Sequence, residues 1–152
     1  MTKTINDRIK NLINNDDVVL FMKGDSDFPQ CGFSANAVGI LNYFGINFKS
    51  YNVLEDDSLR QGIKEFSSWP TIPQIYINGE FIGGSDILKE LVESGEIVEI
   101  LNEKKIKFTD IVEYNELNLE RVFKKNQNIT NPKLNDIKKI NNWIDHNLYI
   151  GN

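Results

Sequence analysis

The stretch "QIYINGEFIGG", residues 74–84, decides the fold, because it predicts two strands joined by a tight turn. Residues of high β-propensity lie on both sides of Asn78 and Gly79, and an Asn-Gly pair is a strong signal for a two-residue hairpin turn. Two earlier strands are predicted from the continuous apolar run "VVLFMK" at 18–23 and the alternating run "FKSYNV" at 48–53. The hairpin therefore adds an antiparallel pair to these two strands.

Helices are predicted between the strands, from apolar residues that recur at three- or four-residue spacing. These residues are Ile5, Ile9, Leu12 and Ile13 in the first helix, Ala35, Val38 and Leu41 in the second, and Leu59, Ile63 and Phe66 in the third. Gly45 is predicted to stop the second helix, and Asp56 or Asp57 to cap the third.

A fourth helix is predicted after the hairpin, with Ser85 and Asp86 as its capping residues, and a fifth helical stretch runs from about residue 96 to 105. The element order is then α-β-α-β-α-β-β-α-α. A right-handed βαβ crossover makes the first two strands parallel. The sequence therefore predicts an α/β fold with a four-stranded mixed sheet between helices on both faces.

The composition excludes several classes of protein. The 152 residues include 40% hydrophobic and 26% charged residues, as in ordinary globular domains. No apolar run approaches the ~18 residues of a membrane span. The N-terminus "MTKTINDRIK" lacks the apolar segment of a secretory signal. The net charge of −5 disfavours a general role in binding nucleic acid.

The composition changes near residue 108. We therefore predict a domain over residues 1–107 and an asparagine-rich extension of unknown role over residues 108–152, helical or partly disordered. A helix-like apolar stripe in the extension is formed by Ile137, Ile140, Ile144 and Leu148. His146, the only histidine, is interpreted as a surface residue without a metal role.

The only cysteine, Cys31, lies in "FPQCGFSANAV", residues 28–38. A lone cysteine is often a small buried hydrophobe. Here it is expected at the end of a loop after a strand, on the first turn of a helix, where unpaired N–H groups and the helix dipole stabilise a thiolate. Gly32 leaves room for another molecule to approach the sulfur. We therefore predict a reactive thiolate. A chain with one cysteine forms no internal disulfide, which fits a reducing compartment.

The absence of a second cysteine limits the chemistry of this thiol. The motif "CGFS" has Ser34 where a two-cysteine motif has its resolving thiol, and a hydroxyl cannot resolve a mixed disulfide. A redox cycle therefore needs an external thiol, and glutathione is the one expected. An iron–sulfur cluster normally takes four thiolates. This chain would hold one only as a dimer that recruits two non-protein thiols.

The motifs "MKG", "CGFS" and "WPTIPQIYINGEFIGG" together resemble the monothiol glutaredoxins. The segment "YNVLEDDSLRQGIKEFSSWPTIPQ" is especially similar to their single-domain mitochondrial type. The resemblance covers residues 3 to 105. It implies a thioredoxin-like fold and a glutathione-ligated [2Fe-2S] cluster that bridges two protomers and passes to recipient apoproteins. It also implies the mitochondrial matrix, with the cytoplasm as the alternative because no presequence is visible.

The resemblance also implies which cations bind glutathione. It assigns Lys23 and Arg60 to the carboxylates of the tripeptide, and the planar fork of an arginine suits a carboxylate. Lys64 shares a helix face with Arg60 but is left out of the predicted site. Trp69 is either a core residue or a wall of the site.

The remaining site residues are implied by the same resemblance. It places a cis peptide before Pro73, so that the Ile72 backbone pairs with glutathione as a strand would, and it puts Thr71 beside the sulfur. Ser85 and Asp86 would bind the γ-glutamyl end. Many relatives have a cysteine where this chain has Ser85, so a disulfide between that position and the thiol is excluded here.

Three functions are compatible with these residues. The first is an iron–sulfur carrier that uses Cys31 as both its reactive thiol and its metal ligand. The second is a glutathione-dependent thiol-disulfide oxidoreductase that removes glutathione from protein thiols. The third is a non-catalytic interaction module in which the extension recruits partners.

Overall fold

The computed structural model describes residues 4–109. The five helices in this part of the chain are α1 (Ile5–Asn15), α2 (Gly32–Tyr43), α3 (Asp57–Ser67), α4 (Ser85–Ser94) and α5 (Glu96–Glu103), with a 3-10 turn at Val53–Glu55. The strands are β1 (Val18–Met22), β2 (Lys49–Asn52), β3 (Gln74–Ile77) and β4 (Glu80–Gly83). They form one sheet in the order β2-β1-β3-β4, in which only β1 and β2 are parallel. The predicted mixed sheet and the thioredoxin-like fold are confirmed.

Strand β1 lies at the centre of the domain, and all five of its side chains are buried. Val18, Leu20 and Met22 pack against α2, α4 and α5, whereas Val19 and Phe21 pack against α1 and α3. A strand covered on both faces needs an uninterrupted apolar sequence, because neither side of the pleat meets water. This is why the "VVLFM" run does not alternate.

The turn between β3 and β4 has the geometry that the sequence predicts. Asn78 and Gly79 have φ values of +51° and +77°, and a type I′ turn requires positive φ at both central residues. The hairpin pairs Tyr76 with Phe81 and Ile77 with Glu80. It places β4 at one edge of the sheet.

The cap of α3 is Asp56, one of the two residues predicted for it. Its carboxylate accepts the N–H of Leu59 at 3.0 Å. The other carboxylate oxygen lies 2.7 Å from a guanidinium nitrogen of Arg8. This contact also ties α1 to the start of α3.

The predicted cap of α4 is wrong. Gly84 is the capping residue and supplies no side chain, while Ser85 and Asp86 already belong to the first turn. The Ser85 hydroxyl instead accepts a hydrogen bond from the Asn36 side-chain amide at 2.9 Å, in a buried pair that joins α4 to α2. The Ser85 hydroxyl therefore serves a contact between two helices instead of capping α4.

The residues that follow α5 contact the core and the end of α2. Phe108 packs on the core, and the Thr109 N–H donates to the carbonyl of Phe44 at 2.7 Å. The apolar stripe and His146 of the predicted extension lie outside the described residues. Within residues 4–109, no helix has the length and apolar character needed to span a bilayer.

Candidate functional site

Cys31 is the N-cap residue of α2, one position before the first turn on which the sequence placed it. Its backbone is extended, with φ −153° and ψ 154°, and its half-buried sulfur accepts the N–H of Ser34 at 3.3 Å. The sulfur thus takes the role that a serine or aspartate oxygen has in ordinary caps. Helix N-termini favour negative charge, so this position suits a thiolate.

The hydroxyl of Ser34 lies between the thiol and the end of β1. It is completely buried, its oxygen is 3.3 Å from the Cys31 sulfur, and it accepts the backbone N–H of Lys23 at 3.1 Å. Its single proton is then available to a thiolate. The Cys31 thiol donates to this hydroxyl oxygen, and a thiolate at the same place would instead accept two hydrogen bonds from Ser34, one from its N–H and one from its O–H.

A tight loop returns the chain from β1 to the thiol. Gly24 has a φ of +87°, and a Cβ there would lie 2.5 Å from the carbonyl oxygen of Phe28. The Asp25 carboxylate accepts the N–H of Phe28 at 2.8 Å, and the Gln30 N–H donates to the Lys23 carbonyl at 2.8 Å. The loop leaves the Phe28 side chain 73% exposed, three residues before the sulfur.

A groove of about 320 Å³ lies beside this end of the sheet. Six residues that the sequence assigned to glutathione line it, namely Lys23, Thr71, Ile72, Pro73, Ser85 and Asp86. Phe33, Lys64 and Trp69 also line it, which makes Trp69 a wall of the groove. Cys31 and Arg60 are not among its lining residues.

The loop before β3 forms one side of the groove. The expected cis peptide between Ile72 and Pro73 is present. The buried Gln74 side chain donates to the carbonyls of Trp69 and Thr71 at 3.0 and 3.3 Å, and it accepts the Tyr76 hydroxyl at 3.2 Å. Burial raises the pKa of Tyr76 to about 12, so its hydroxyl stays a donor to this amide. No local sequence pattern singles out Gln74, because its partners become neighbours only when the loop folds.

The start of α4 forms the opposite side. A Cβ at Gly84 would lie 3.1 Å from the Pro73 carbonyl oxygen, so the two backbones approach closely. Ser85 is buried here and Asp86 is exposed. The N–H groups of a helix N-terminus attract anions. This side of the groove therefore offers backbone N–H groups to a ligand, with the carboxylate of Asp86 beside them.

Comparisons with known proteins agree with this arrangement. The Glutaredoxin family model matches residues 18–82. An uncharacterized monothiol glutaredoxin of Synechocystis is 57% identical over 94 residues, which is 62% of this chain and 88% of that protein. The chain belongs to the monothiol glutaredoxins. Mitochondrial monothiol glutaredoxin-5 of Saccharomyces cerevisiae is 50% identical over 106 residues, 68% of this chain and 71% of its own length.

A solved structure gives the same result for the fold of this monothiol glutaredoxin. The solution structure of reduced poplar apo GrxS14 superimposes with a TM-score of 0.59 at 51% sequence identity. The match covers 64% of this chain and 90% of the poplar chain. The family resemblance inferred from the motifs is thereby confirmed.

The two α3 cations of this glutaredoxin differ in their environment. Lys64, which the sequence analysis left out, is half-buried and lines the groove. Arg60 lies one turn earlier, and its Nε is buried without a hydrogen-bond partner among residues 4–109. Their i, i+4 spacing predicts that both side chains lie on one face of α3, but it does not predict which of them lines the groove.

The described residues offer few ligands for a metal. Within residues 4–109, no three His, Cys, Asp or Glu side chains lie close enough together to hold an ion. Cys31 is the only cysteine of the whole sequence. A thiolate-ligated metal centre on this glutaredoxin would therefore need ligands from outside the chain.

Proposed function

We propose that this monothiol glutaredoxin binds a glutathione-ligated [2Fe-2S] cluster in a bridged homodimer and transfers it to apoproteins. The observation that supports this most is the isolation of Cys31. Its partly exposed sulfur caps α2 beside a groove lined by cations, and a serine stands where a resolving cysteine would be. Such a thiol can share a metal cluster, but it cannot complete a dithiol cycle.

The ligand count supports a dimer. A [2Fe-2S] cluster takes four thiolates. One protomer supplies the Cys31 sulfur, and one bound glutathione supplies a second. Two protomers and two glutathiones complete the set. The cluster is cargo here, held by four exchangeable sulfurs, so a recipient protein with its own cysteines can take it over.

The groove supplies a seat for glutathione. We assign the two carboxylates of the tripeptide to Lys23 and to α3, where Lys64 joins Arg60 as a candidate. Charge-assisted hydrogen bonds of this kind each contribute roughly 1.5–3 kcal/mol. The remaining contacts come from Thr71, the Ile72 backbone and Pro73 on one side and from Ser85 and Asp86 on the other.

Anaerobic reconstitution with iron, sulfide and glutathione tests the proposal. The wild-type chain should develop the visible absorption of a [2Fe-2S] centre, and omission of glutathione should prevent it. Cys31→Ser should remain folded and colourless, while Ser26→Ala, in the same loop, should load normally. A Cys31→Ser protein that assembles a normal centre would overturn the ligand assignment.

A second function is favoured by the two hydrogen bonds that Ser34 can give to the sulfur. The Cys31 thiolate would attack the glutathione sulfur of a protein–glutathione disulfide and expel the protein as its thiolate. The new Cys31–glutathione disulfide would then be reduced by a second glutathione, which leaves as oxidised glutathione. Fast turnover of a glutathione mixed disulfide, with no cluster formed on reconstitution, would favour this oxidoreductase over the carrier.

We propose the mitochondrial matrix as the compartment. The proposal rests on similarity to the Saccharomyces cerevisiae monothiol glutaredoxin-5, which is described as mitochondrial. Imaging of the full-length chain fused at its C-terminus to a fluorescent protein tests it. A diffuse cytoplasmic signal would contradict it.

A further inference from the structure

The side-chain oxygen of Asn52 joins the two segments that bear the groove cations. Its Oδ1 accepts the backbone N–H of Gly24 at 2.9 Å and the N–H of Leu54 at 3.0 Å. Gly24 directly follows Lys23, and Leu54 belongs to the 3-10 turn Val53–Glu55 that leads into α3. One oxygen atom therefore connects the end of β1 to the approach to α3.

The end of the strand ladder explains why a side chain is needed at this place. Strands β1 and β2 pair in register as far as Met22 and Asn52. Gly24 lies two residues further on and is buried, with a φ of +87°. A buried N–H without an acceptor costs about as much as a lost hydrogen bond. The Asn52 amide supplies that acceptor and extends the connection between the two strands.

The backbone around Lys23 is held on both sides. Its N–H donates to the Ser34 hydroxyl at 3.1 Å, and its carbonyl accepts the Gln30 N–H at 2.8 Å. The following N–H, that of Gly24, is held by Asn52 at 2.9 Å. Both peptide groups that flank the Lys23 Cα are therefore held, and they fix the direction of its Cα–Cβ bond.

The second arm of the junction reaches α3. Leu54 lies two residues before Asp56, whose carboxylate caps that helix. Lys64 is carried by α3 and lines the same groove as Lys23. Asn52 thus bonds the residue that follows Lys23 and the 3-10 turn that precedes the helix carrying Lys64.

We propose that Asn52 is a positioning residue that fixes the backbone carrying Lys23 relative to the approach to α3. The inference rests on the proposed function, in which Lys23 binds a carboxylate of glutathione. Asn52 is not among the residues that line the groove, so it would act through the two segments that it connects.

A double-mutant cycle measured by NMR titration of the full-length chain with glutathione tests the proposal. Asn52→Ala should weaken binding by about fivefold or more in the wild-type background. In the Lys23→Ala background the same change should weaken it by less than about twofold, because the lysine that Asn52 positions is gone. A residue with a merely structural role would lower affinity by the same factor in both backgrounds.

Two variants control the cycle. Asn47→Ala removes an exposed asparagine just before β2 and should leave affinity unchanged. Asn52→Asp keeps the acceptor oxygen, so at high salt, where its added charge is screened, it should bind glutathione as the wild type does. Equal losses in both backgrounds, or an Asn52→Asp protein as weak as Asn52→Ala at high salt, would overturn the proposal.

The remaining outcomes are also decisive. If Asn52→Ala does not fold, amide hydrogen exchange of the wild-type protein replaces it. The Gly24 and Leu54 amides should then exchange together and slow together when glutathione is added, and independent exchange would overturn the proposal. A wild-type chain that binds no glutathione removes the proposed function and this inference with it. Wild-type binding with additive losses removes this inference alone.

Discussion

The hydroxyl oxygen of Ser34 lies 3.3 Å from the sulfur of Cys31 and accepts the Lys23 N–H at 3.1 Å. The serine that replaces a resolving cysteine is thus the completely buried link between the thiol and the strand that leads to the groove. The last residue of the "CGFS" motif therefore has a structural role, in addition to being unable to resolve a mixed disulfide.

Replacement of Ser34 should destabilise the domain. Ser34→Ala removes the acceptor of the Lys23 N–H and should lower the free energy of unfolding by about 1–3 kcal/mol. Denaturant unfolding measures this loss. Ser58→Ala, at an exposed position in the first turn of α3, is the matched control and should change stability by less than about 0.5 kcal/mol. Equal stability of the two variants would contradict the role given to the buried hydroxyl.

Removal of the groove cations should weaken glutathione binding. We expect Lys23→Ala and Lys64→Ala each to lower affinity by about tenfold or more, which corresponds to a charge-assisted hydrogen bond of at least 1.5 kcal/mol. Arg60→Ala should have a similar effect if its guanidinium turns to the ligand. Calorimetric titration at two salt concentrations measures the affinities, and wild-type binding should weaken as salt rises.

The control for these cations is Lys107→Ala, an exposed lysine beyond α5. It should bind glutathione as the wild type does. Unchanged affinity in both Lys23→Ala and Lys64→Ala would remove the proposed carboxylate seat. If Lys64→Ala lowers glutathione affinity and Arg60→Ala does not, the carboxylate contact from α3 belongs to Lys64 rather than to Arg60.

Asp56 should contribute stability that depends on pH. Its hydrogen bond from Arg8, and then that from the Leu59 N–H, hold the pKa of this carboxyl below its ordinary value of 3.8. A lowered folded pKa means that the contribution is present above pH 3.8 and is lost as pH falls through the folded value. Asp56→Ala should therefore cost about 0.5–2 kcal/mol near neutral pH and progressively less in acid.

Thermal or denaturant unfolding from pH 7 down to pH 2 measures this difference. The neighbouring Asp57→Ala variant keeps the cap and should cost less at neutral pH. A loss in Asp56→Ala that stays constant across the acid range would show that the carboxylate charge is not its source.

Local sequence patterns predicted most of the fold. The continuous apolar run predicted the buried strand β1, and Asn78-Gly79 predicted the turn. Both predictions succeeded because each pattern lies within a few adjacent residues. Boundaries differed slightly: β1 ends at Met22 rather than 23, and α5 ends at Glu103 rather than 105. Helix and strand ends depend on hydrogen bonds that fray, so such shifts are expected.

Contacts between distant residues account for what the sequence did not predict. The Ser85 hydroxyl bonds Asn36, 49 residues away, and the Gly24 N–H bonds Asn52, 28 residues away. The approach of Lys64 to the groove depends on how α3 packs against α1, where a Cβ at Gly62 would lie 2.6 Å from Ile5. Neither propensity nor spacing contains this information.

In the proposed dimer, four thiolates, two of them from glutathione, hold a cluster between two chains. The most direct measurement determines iron, sulfide, glutathione and molecular mass on one anaerobically loaded sample, before and after the cluster is destroyed by oxygen. A parallel sample that ends at Thr109 separates cluster bridging from any association through residues 110–152. We predict a dimer with one [2Fe-2S] cluster and two glutathiones in both samples, falling to monomers with cluster loss. A loaded monomer, or a loaded dimer without glutathione, would contradict the claim.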